Sequence, residues 1–442
     1  MRKLIISCIV VLLQPVFSFH AFAEPISLSE AYQRAQTYDA KYLAAEADHA
    51  AQREEVGKAR SNFRPNIKVG ASIGRNATET TRKNEDPYDT FYNTRNYSII
   101  LRQPLLNLSN IAAYKQAKAV SKKSGALLDK ESAGLMLRTL EAYVNVMYAL
   151  DNLEFSKMYI AALKEQMQQA KRRFDTGFGT VTEISEAQAN YDRALADGVE
   201  SNNTLETNRR ELESIAGVYA VDVLKLNPKK ILLIVPEPQN AEKWIDMALE
   251  NSTDIDAAQA EVTIARKQID KNRAARYPTF DFVASKSFSE SENNYSIGSE
   301  YDTYGVSLQM NLPIYTGGYT SASVRQASAQ YTEASEQKNM KTRQVTVNVR
   351  KYFNGLLSSI AQIRAYEQAV KSSETALIGT KKGFSAGFRS NVDVLNAEAK
   401  LFENNRNLAK SRYQYILNLA KLKEMAGMLT DRDIDMIDSW MR

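Results

Sequence analysis

Two hydrophobic rhythms alternate along this chain, and each occurs twice. Ile67, Val69, Ala71 and Ile73 alternate with Lys68, Gly70, Ser72 and Gly74, the period-two pattern of a strand with one apolar face. A second strand follows from about Asn96 to Gln103, carrying Tyr97, Ile99 and Leu101 on one face. A loop rich in Asn, Thr and charge, Asn76 to Thr94, separates the two in this reading. The pair returns as Thr279 to Phe288, a Ser/Glu/Asn loop, and Tyr304, Val306, Leu308 and Met310 alternating with Gly305, Ser307 and Gln309. Each strand is about ten residues, the length a tilted strand needs to cross a bilayer core. Aromatics near the strand ends (Phe91, Tyr92, Tyr97, Phe288, Tyr301, Tyr304) suit an interfacial girdle.

The second rhythm has steps of three and four. Met136, Leu140, Tyr143, Met147 and Leu150 form an apolar seam that resumes at Leu153, Ile160, Leu163, Met167, Ala170 and Phe174. Val345, Val349, Tyr352, Leu356, Ile363, Tyr366, Val370 and Leu377 form its counterpart. Such seams belong to coiled coils, and the three-residue step from Leu150 to Leu153 shifts the register. No proline interrupts Ser109 to Phe174, so the pattern predicts one helix of about 65 residues, near 100 Å long. Leu28 to Asn62 reads as a shorter Ala/Glu/Arg-rich helix, ended at Arg64-Pro65.

The two halves are copies of one long unit. Arg173-Phe174-Asp175-Thr176-Gly177-Phe178-Gly179-Thr180 is answered about 210 residues later by Gly383-Phe384-Ser385-Ala386-Gly387-Phe388-Arg389-Ser390. Pro65 and Pro278 match, as do Pro104 and Pro313, and Ala31 and Ala35 fall opposite Trp244 and Ala248. The expected organisation is a signal peptide over 1–23 and a first repeat over 24–216, with strand pair 66–103 and hairpin tip near 177–183. A linker over 217–239 leads to a second repeat over 240–427, with strand pair 279–311 and tip near 387–393. A polar tail over 428–442 closes the chain.

The signal reading rests on Arg2 and Lys3, the apolar stretch Leu4 to Phe19, and Ala21-Phe22-Ala23 as an A-x-A cleavage site. Cleavage removes Cys8, the single cysteine, and His20, one of two histidines. His49 then stands alone in a helical stretch, and a histidine without partners makes neither a metal site nor a general base. No nucleophile motif, metal cluster or phosphate loop appears, so neither catalysis nor a cofactor is expected. The net charge of +5 falls to about +3 without Arg2 and Lys3. With no basic block, nothing points to nucleic acid. An exported chain with membrane-length strands is then an outer-membrane protein. Four strands cannot close a barrel, since barrels begin at eight. Three copies pooling twelve strands would remove both free edges and bury the helical seams.

Over nearly the whole mature chain, from Ile26-Ser27-Leu28-Ser29-Glu30-Ala31 to about Thr430, the sequence resembles the TolC family of outer-membrane channel-tunnels. The sharpest matches are Leu312-Pro313-Ile314-Tyr315-Thr316-Gly317-Gly318, Gly177-Phe178-Gly179-Thr180-Val181-Thr182-Glu183-Ile184 and Gly387-Phe388-Arg389-Ser390-Asn391-Val392-Asp393-Val394-Leu395. The resemblance implies an α+β membrane protein: a homotrimer whose twelve-stranded barrel continues into a periplasmic α-helical tunnel. It implies a passive exit duct working with a periplasmic adaptor and an inner-membrane ABC or RND-type transporter, for proteins (type I secretion) or small toxic compounds. It places Gly177, Phe178, Thr180, Gly387, Phe388 and Ser390 at tips gripped by the adaptor. It makes Arg389 a gate arginine with Thr182 and Glu183 as partners on the neighbouring helix pair. Two departures stand out. Phe384 replaces a gate tyrosine, and Asn396 replaces one of two constriction aspartates, leaving Asp393.

The competing reading is a soluble periplasmic coiled-coil scaffold or adaptor. It accounts for signal and helices but leaves two membrane-length hairpins at matched positions unexplained.

Overall fold

A computed structural model describes residues 25–292 and 298–441; the signal read over 1–23 lies outside them. The elements run in chain order as two similar series. The first is α1 (Leu28–Tyr38), α2 (Ala40–Ser61), β1 (Asn66–Thr80), β2 (Tyr88–Leu106), α3 (Leu108–Asp175) and α4 (Val181–Ala216). The second is α5 (Ala241–Asn251), α6 (Thr253–Ala274), β3 (Thr279–Ser291), β4 (Ser299–Asn311), α7 (Tyr319–Ser385) and α8 (Asn391–Met425), followed by α9 (Asp431–Ser439).

The helices α3 and α7 contain 68 and 67 residues, in keeping with the uninterrupted seams. The opening helix differs from expectation. Leu28 to Asn62 is two helices broken at Asp39, whose extended backbone (ψ 111°) caps α2. Its carboxylate accepts from the Tyr42 N–H at 2.7 Å and pairs with Arg138 at 3.0 Å. An N-capping carboxylate satisfies backbone donors that a continuous helix would have used internally. The second series breaks likewise at Ser252.

The strands form one antiparallel sheet in the order β1-β2-β3-β4. They are longer than the apolar alternation indicated. The expected loop from Asn76 to Thr94 is mostly strand, since Asn76 pairs with Tyr92 and Thr80 with Tyr88. Polar residues such as Asn76, Thr78 and Thr90 pair as well in a ladder as apolar ones, but carry no hydrophobic period to reveal it. The ladder between β2 and β3 shifts register at Pro104 and Leu106, where proline removes a donor.

Directly opposed residues share a face. One face therefore carries Ile67, Val69 and Ile73, then Tyr97, Ile99 and Leu101, then Phe282 and Phe288, then Tyr304, Val306, Leu308 and Met310. The opposite face carries Lys68, Gly70, Ser72, Ser98, Asn96, Ser285, Ser287, Gly305, Ser307 and Gln309. Val69, Ile73 and Val306 are more than 70% exposed, an apolar band that water would not tolerate uncovered. No helix among the described residues is long and apolar enough to cross a membrane.

Away from the sheet the helices pair as α3 with α4 and α7 with α8. The core is concentrated at mid-length, where Leu140, Tyr143, Met147, Val349, Leu356, Ile416 and Leu422 are almost fully buried. Around this level the linker and short helices form a belt. The Tyr143 hydroxyl donates to the Ile26 carbonyl at 2.8 Å and accepts from the Leu224 N–H at 3.0 Å. Tyr415 does the same in the other half, donating to the Leu232 carbonyl (2.8 Å) and accepting from the Ile234 N–H (2.7 Å). Residues 431–439, expected within a polar tail, fold as α9 in this belt. Its acidic residues face outward or cap helices, while Ile434, Ile437, Trp440 and Met441 are buried.

One carboxylate in this region is out of place energetically. Burial pushes the Glu424 carboxyl up to about 7; Asp254 raises it further, and Lys130 and Lys421 oppose the shift. The folded value lies above the ordinary 4.5, so the folded state binds more protons between those two values. Stability therefore falls as pH rises across that window. Above it the ionised group costs about 3 kcal/mol. Glu424→Gln is expected to raise the thermal unfolding midpoint at pH 8 and to leave it unchanged at pH 4. An equal shift at both pH values would contradict desolvation as the cause.

Candidate functional site: the two helical turns

Both long hairpins reverse through the same six-residue device. In the first, α3 ends at Asp175 and Gly177 adopts φ +78°. The Gly177 N–H bonds the Phe174 carbonyl at 2.9 Å and the Phe178 N–H bonds the Arg173 carbonyl at 2.9 Å, the paired bonds of a Schellman ending. In the second, Gly387 has φ +81°, with the Gly387 N–H on Phe384 (3.0 Å) and the Phe388 N–H on Gly383 (2.8 Å). Side-chained residues rarely adopt such φ values, which accounts for the glycine at both reversals.

Each returning helix starts with a reciprocal cap. Thr180 Oγ1 accepts from the Glu183 N–H at 3.2 Å, and Glu183 reaches back to the Thr180 N–H at 3.4 Å. Ser390 Oγ accepts from the Asp393 N–H at 3.2 Å, and Asp393 Oδ2 accepts from the Ser390 N–H at 2.9 Å. These boxes satisfy donors that would otherwise be orphaned at the helix start. The Ser390 N–H and hydroxyl, with Arg389 nearby, hold the Asp393 carboxyl below its usual range. It stays ionised in mild acid.

Capping thus uses Thr180, Glu183, Ser390 and Asp393. The turns leave two large apolar side chains in the open, Phe178 at 79% and Phe388 at 87% exposure. Phe384 is buried at 7%, while Thr182 and Asn396 are exposed on α4 and α8. Arg389 lies along the end of its own hairpin, where a Cβ on Gly383 would come within 2.9 Å of its Cγ. Among the described residues of one protomer, Arg389 makes no hydrogen bond or ion pair to Thr182 or Glu183.

Arg173 carries no local signature of a functional residue. Its guanidinium carbon sits 4.9 Å from the centroid of the Phe384 ring, bridging the first hairpin to the second. Its NH2 donates to the Phe178 carbonyl at 3.2 Å. The signal was present in the repeat: position 173 aligns with 383, and 179 with 389, with arginine and glycine exchanged.

A sheet with a lipid-facing band, carried on two coiled-coil hairpins, defines a membrane-anchored channel subunit of the export class. The chain belongs to the outer membrane efflux protein family, which matches residues 31–218 and 244–428, one stretch in each repeat. It is therefore an outer-membrane channel protein whose helical mass lies in the periplasm. It is 31% identical over 424 residues to the alkaline protease secretion protein AprF of Pseudomonas aeruginosa, spanning 94% of this chain and 87% of that one. It is 30% identical over 411 residues to the outer membrane protein TolC of Vibrio cholerae, spanning 92% of each. The fold superposes on the outer membrane protein VceC of Vibrio cholerae with a TM-score of 0.77 and 20% identity, covering 90% of this chain and 96% of that one.

Proposed function

We infer that three copies assemble into a barrel continuous with a helical tunnel, and that this tunnel is the passive exit duct of a tripartite export machine. One observation carries the reading: a four-stranded sheet, apolar on one face and polar on the other, leaves β1 and β4 each with an unpaired edge. In hydrocarbon every backbone N–H and C=O must be bonded, so only closure with other copies satisfies those edges. Twelve strands from a homotrimer put the Ile67, Val69 and Val306 face toward outer-membrane lipid and the Ser98, Ser307 and Gln309 face toward the lumen. A cross-linked mass of three chains, with steady single-channel current in planar bilayers, is the expected result. A monomer without conductance would overturn it.

The turns form the periplasmic entrance. Gly177, Phe178, Thr180, Gly387, Phe388 and Ser390 make the docking tips for a periplasmic adaptor, with Phe178 and Phe388 as apolar anchors. The adaptor joins the duct to an inner-membrane ABC or RND-type transporter. The resemblance to AprF favours secreted proteins as cargo, with small toxic compounds as the second class. Arg389 forms the latch to Thr182 and Glu183 of the neighbouring protomer, since a guanidinium holds a carboxylate and a hydroxyl through directed donors.

Asp393 and Asn396, one helical turn apart on α8, line the constriction. A trimer then carries one ring of three carboxylates, which attracts cations and binds multivalent ones. Asn396→Asp adds a second ring. At about 1 kcal/mol per added close charge in a hydrated lumen, the concentration of a trivalent cation that half-blocks the channel is expected to fall about tenfold or more. Equal block before and after the change would remove Asn396 from the constriction.

A further inference from the structure

We propose that Arg173 is a second gate arginine, one that ties the two hairpins within each protomer and couples the docking turn to the closed entrance. This rests on the channel reading above.

The two turns are built on the same frame but hold their arginine at opposite ends of it. In the first, Arg173 stands on the last turn of α3 and Gly179 leads into α4. A Cβ on Gly179 would lie 2.8 Å from the Phe174 backbone nitrogen and 3.2 Å from Arg173 Cβ, so no side chain fits there. In the second, Arg389 leads into α8, and its stem occupies the space above Gly383. Each turn therefore has room for one long side chain from this pair of positions. The first sends it from the outgoing helix and the second from the returning helix, so the two arginines are aimed at different neighbours.

Arg173 has found its target within the protomer. Its guanidinium lies over the face of Phe384 at 4.9 Å. The ring is buried, while Phe174, its counterpart in the first hairpin, is 42% exposed. The Arg173 Nε is buried without a hydrogen-bond partner, leaving the ring face as its compensation. This contact needs the aromatic face and no hydroxyl, so phenylalanine serves where a hydrogen-bonded latch would need tyrosine. Arg173 also donates to the carbonyl of Phe178, the exposed anchor of the docking turn. Any displacement of that turn by a bound adaptor pulls on the group that covers Phe384. In the trimer the links then alternate around the entrance: Arg173 to Phe384 inside each protomer, Arg389 across each subunit boundary.

The test is open probability in planar bilayers for the wild type, Arg173→Ala, Phe384→Leu, their double variant, Phe384→Tyr and Arg389→Ala. Arg173→Ala and Phe384→Leu each remove three links from the trimer, and each is expected to raise the ratio of open to closed forms at least about tenfold. The double variant should rise no further than either single one, because both remove the same link. Phe384→Tyr, which keeps the ring face, should remain at the wild-type value; a merely structural defect would not discriminate Leu from Tyr in this way. Wild-type open probability in Arg173→Ala beside a raised value in Arg389→Ala would overturn the Arg173 link alone. No conductance from any form would overturn the channel reading along with it.

Discussion

Arg389→Ala is expected to shift the isolated channel from brief, small openings to large and sustained ones. In the trimer proposed above each protomer contributes one Arg389, so the substitution would remove three links at once. An exposed ion pair contributes about 0 to 1 kcal/mol, too little to close anything alone. Three acting on one concerted transition remove up to about 3 kcal/mol, which changes the ratio of open to closed forms by about a hundredfold. Arg389→Lys should give an intermediate result, because an ammonium keeps the charge and loses the directed fork. Single-channel recording of the three forms decides the point. Identical current in wild type and Arg389→Ala would remove Arg389 from the gate.

The second large effect is expected far from the entrance. Trp440 is 2% exposed and stacks on Tyr415 with ring centroids 6.3 Å apart. Its carbonyl accepts from the Asn227 N–H at 2.9 Å, holding the linker. Two residues earlier, Asp438 Oδ1 accepts from the Leu28 N–H at 2.9 Å, capping α1. This short segment thus joins α1, the linker and α8 across the mid-length core. Trp440→Ala should cost about 3 to 5 kcal/mol, the usual range for emptying a buried tryptophan site. Deletion of 431–442 should abolish folded protein in the outer membrane, because Ile434, Ile437 and the core beneath them would be bared. Thermal unfolding followed by circular dichroism, together with the amount of protein recovered in the outer membrane, measures both. A Trp440→Ala protein that melts within a degree or two of wild type would show the belt to be dispensable.

Several parts of this molecule are plain in the primary structure because they are periodic. The apolar alternation of Ile67 to Ile73 and Tyr304 to Met310 declares one lipid-facing side of the sheet, and the seam through Leu140, Tyr143 and Met147 declares a long helix. Where the period fades, so does the signal of the element. The strands continue through Asn76 to Thr80 and from Tyr88 onward on polar pairs that have no hydrophobic signature. The break at Asp39 was hidden because no proline or glycine marks it, and a lone aspartate that favours a cap is not by itself a stop signal. The end of the chain looked polar because four aspartates in 431–438 outnumber its three apolar residues, yet Ile434 and Ile437 on α9 and Trp440 just after it are buried together.

The candidate entrance divides the same way. Gly177 and Gly387, the capping pairs Thr180–Glu183 and Ser390–Asp393, and the exposed Phe178 and Phe388 follow from local rules, since each interaction spans at most six residues of chain. Arg173 on Phe384 joins positions in different repeats, and no local pattern brings them together. By itself the sequence determined the two repeats, the rhythm of strand and coiled coil, the turns and the family, because these depend on short-range periodicity and backbone stereochemistry. Only the tertiary structure decided which arginine meets which ring, that the Glu424 carboxylate is stranded, and that α9 locks α1. Those outcomes depend on desolvation and on packing between segments hundreds of residues apart, where the free energy of a side chain is set by its neighbours in space.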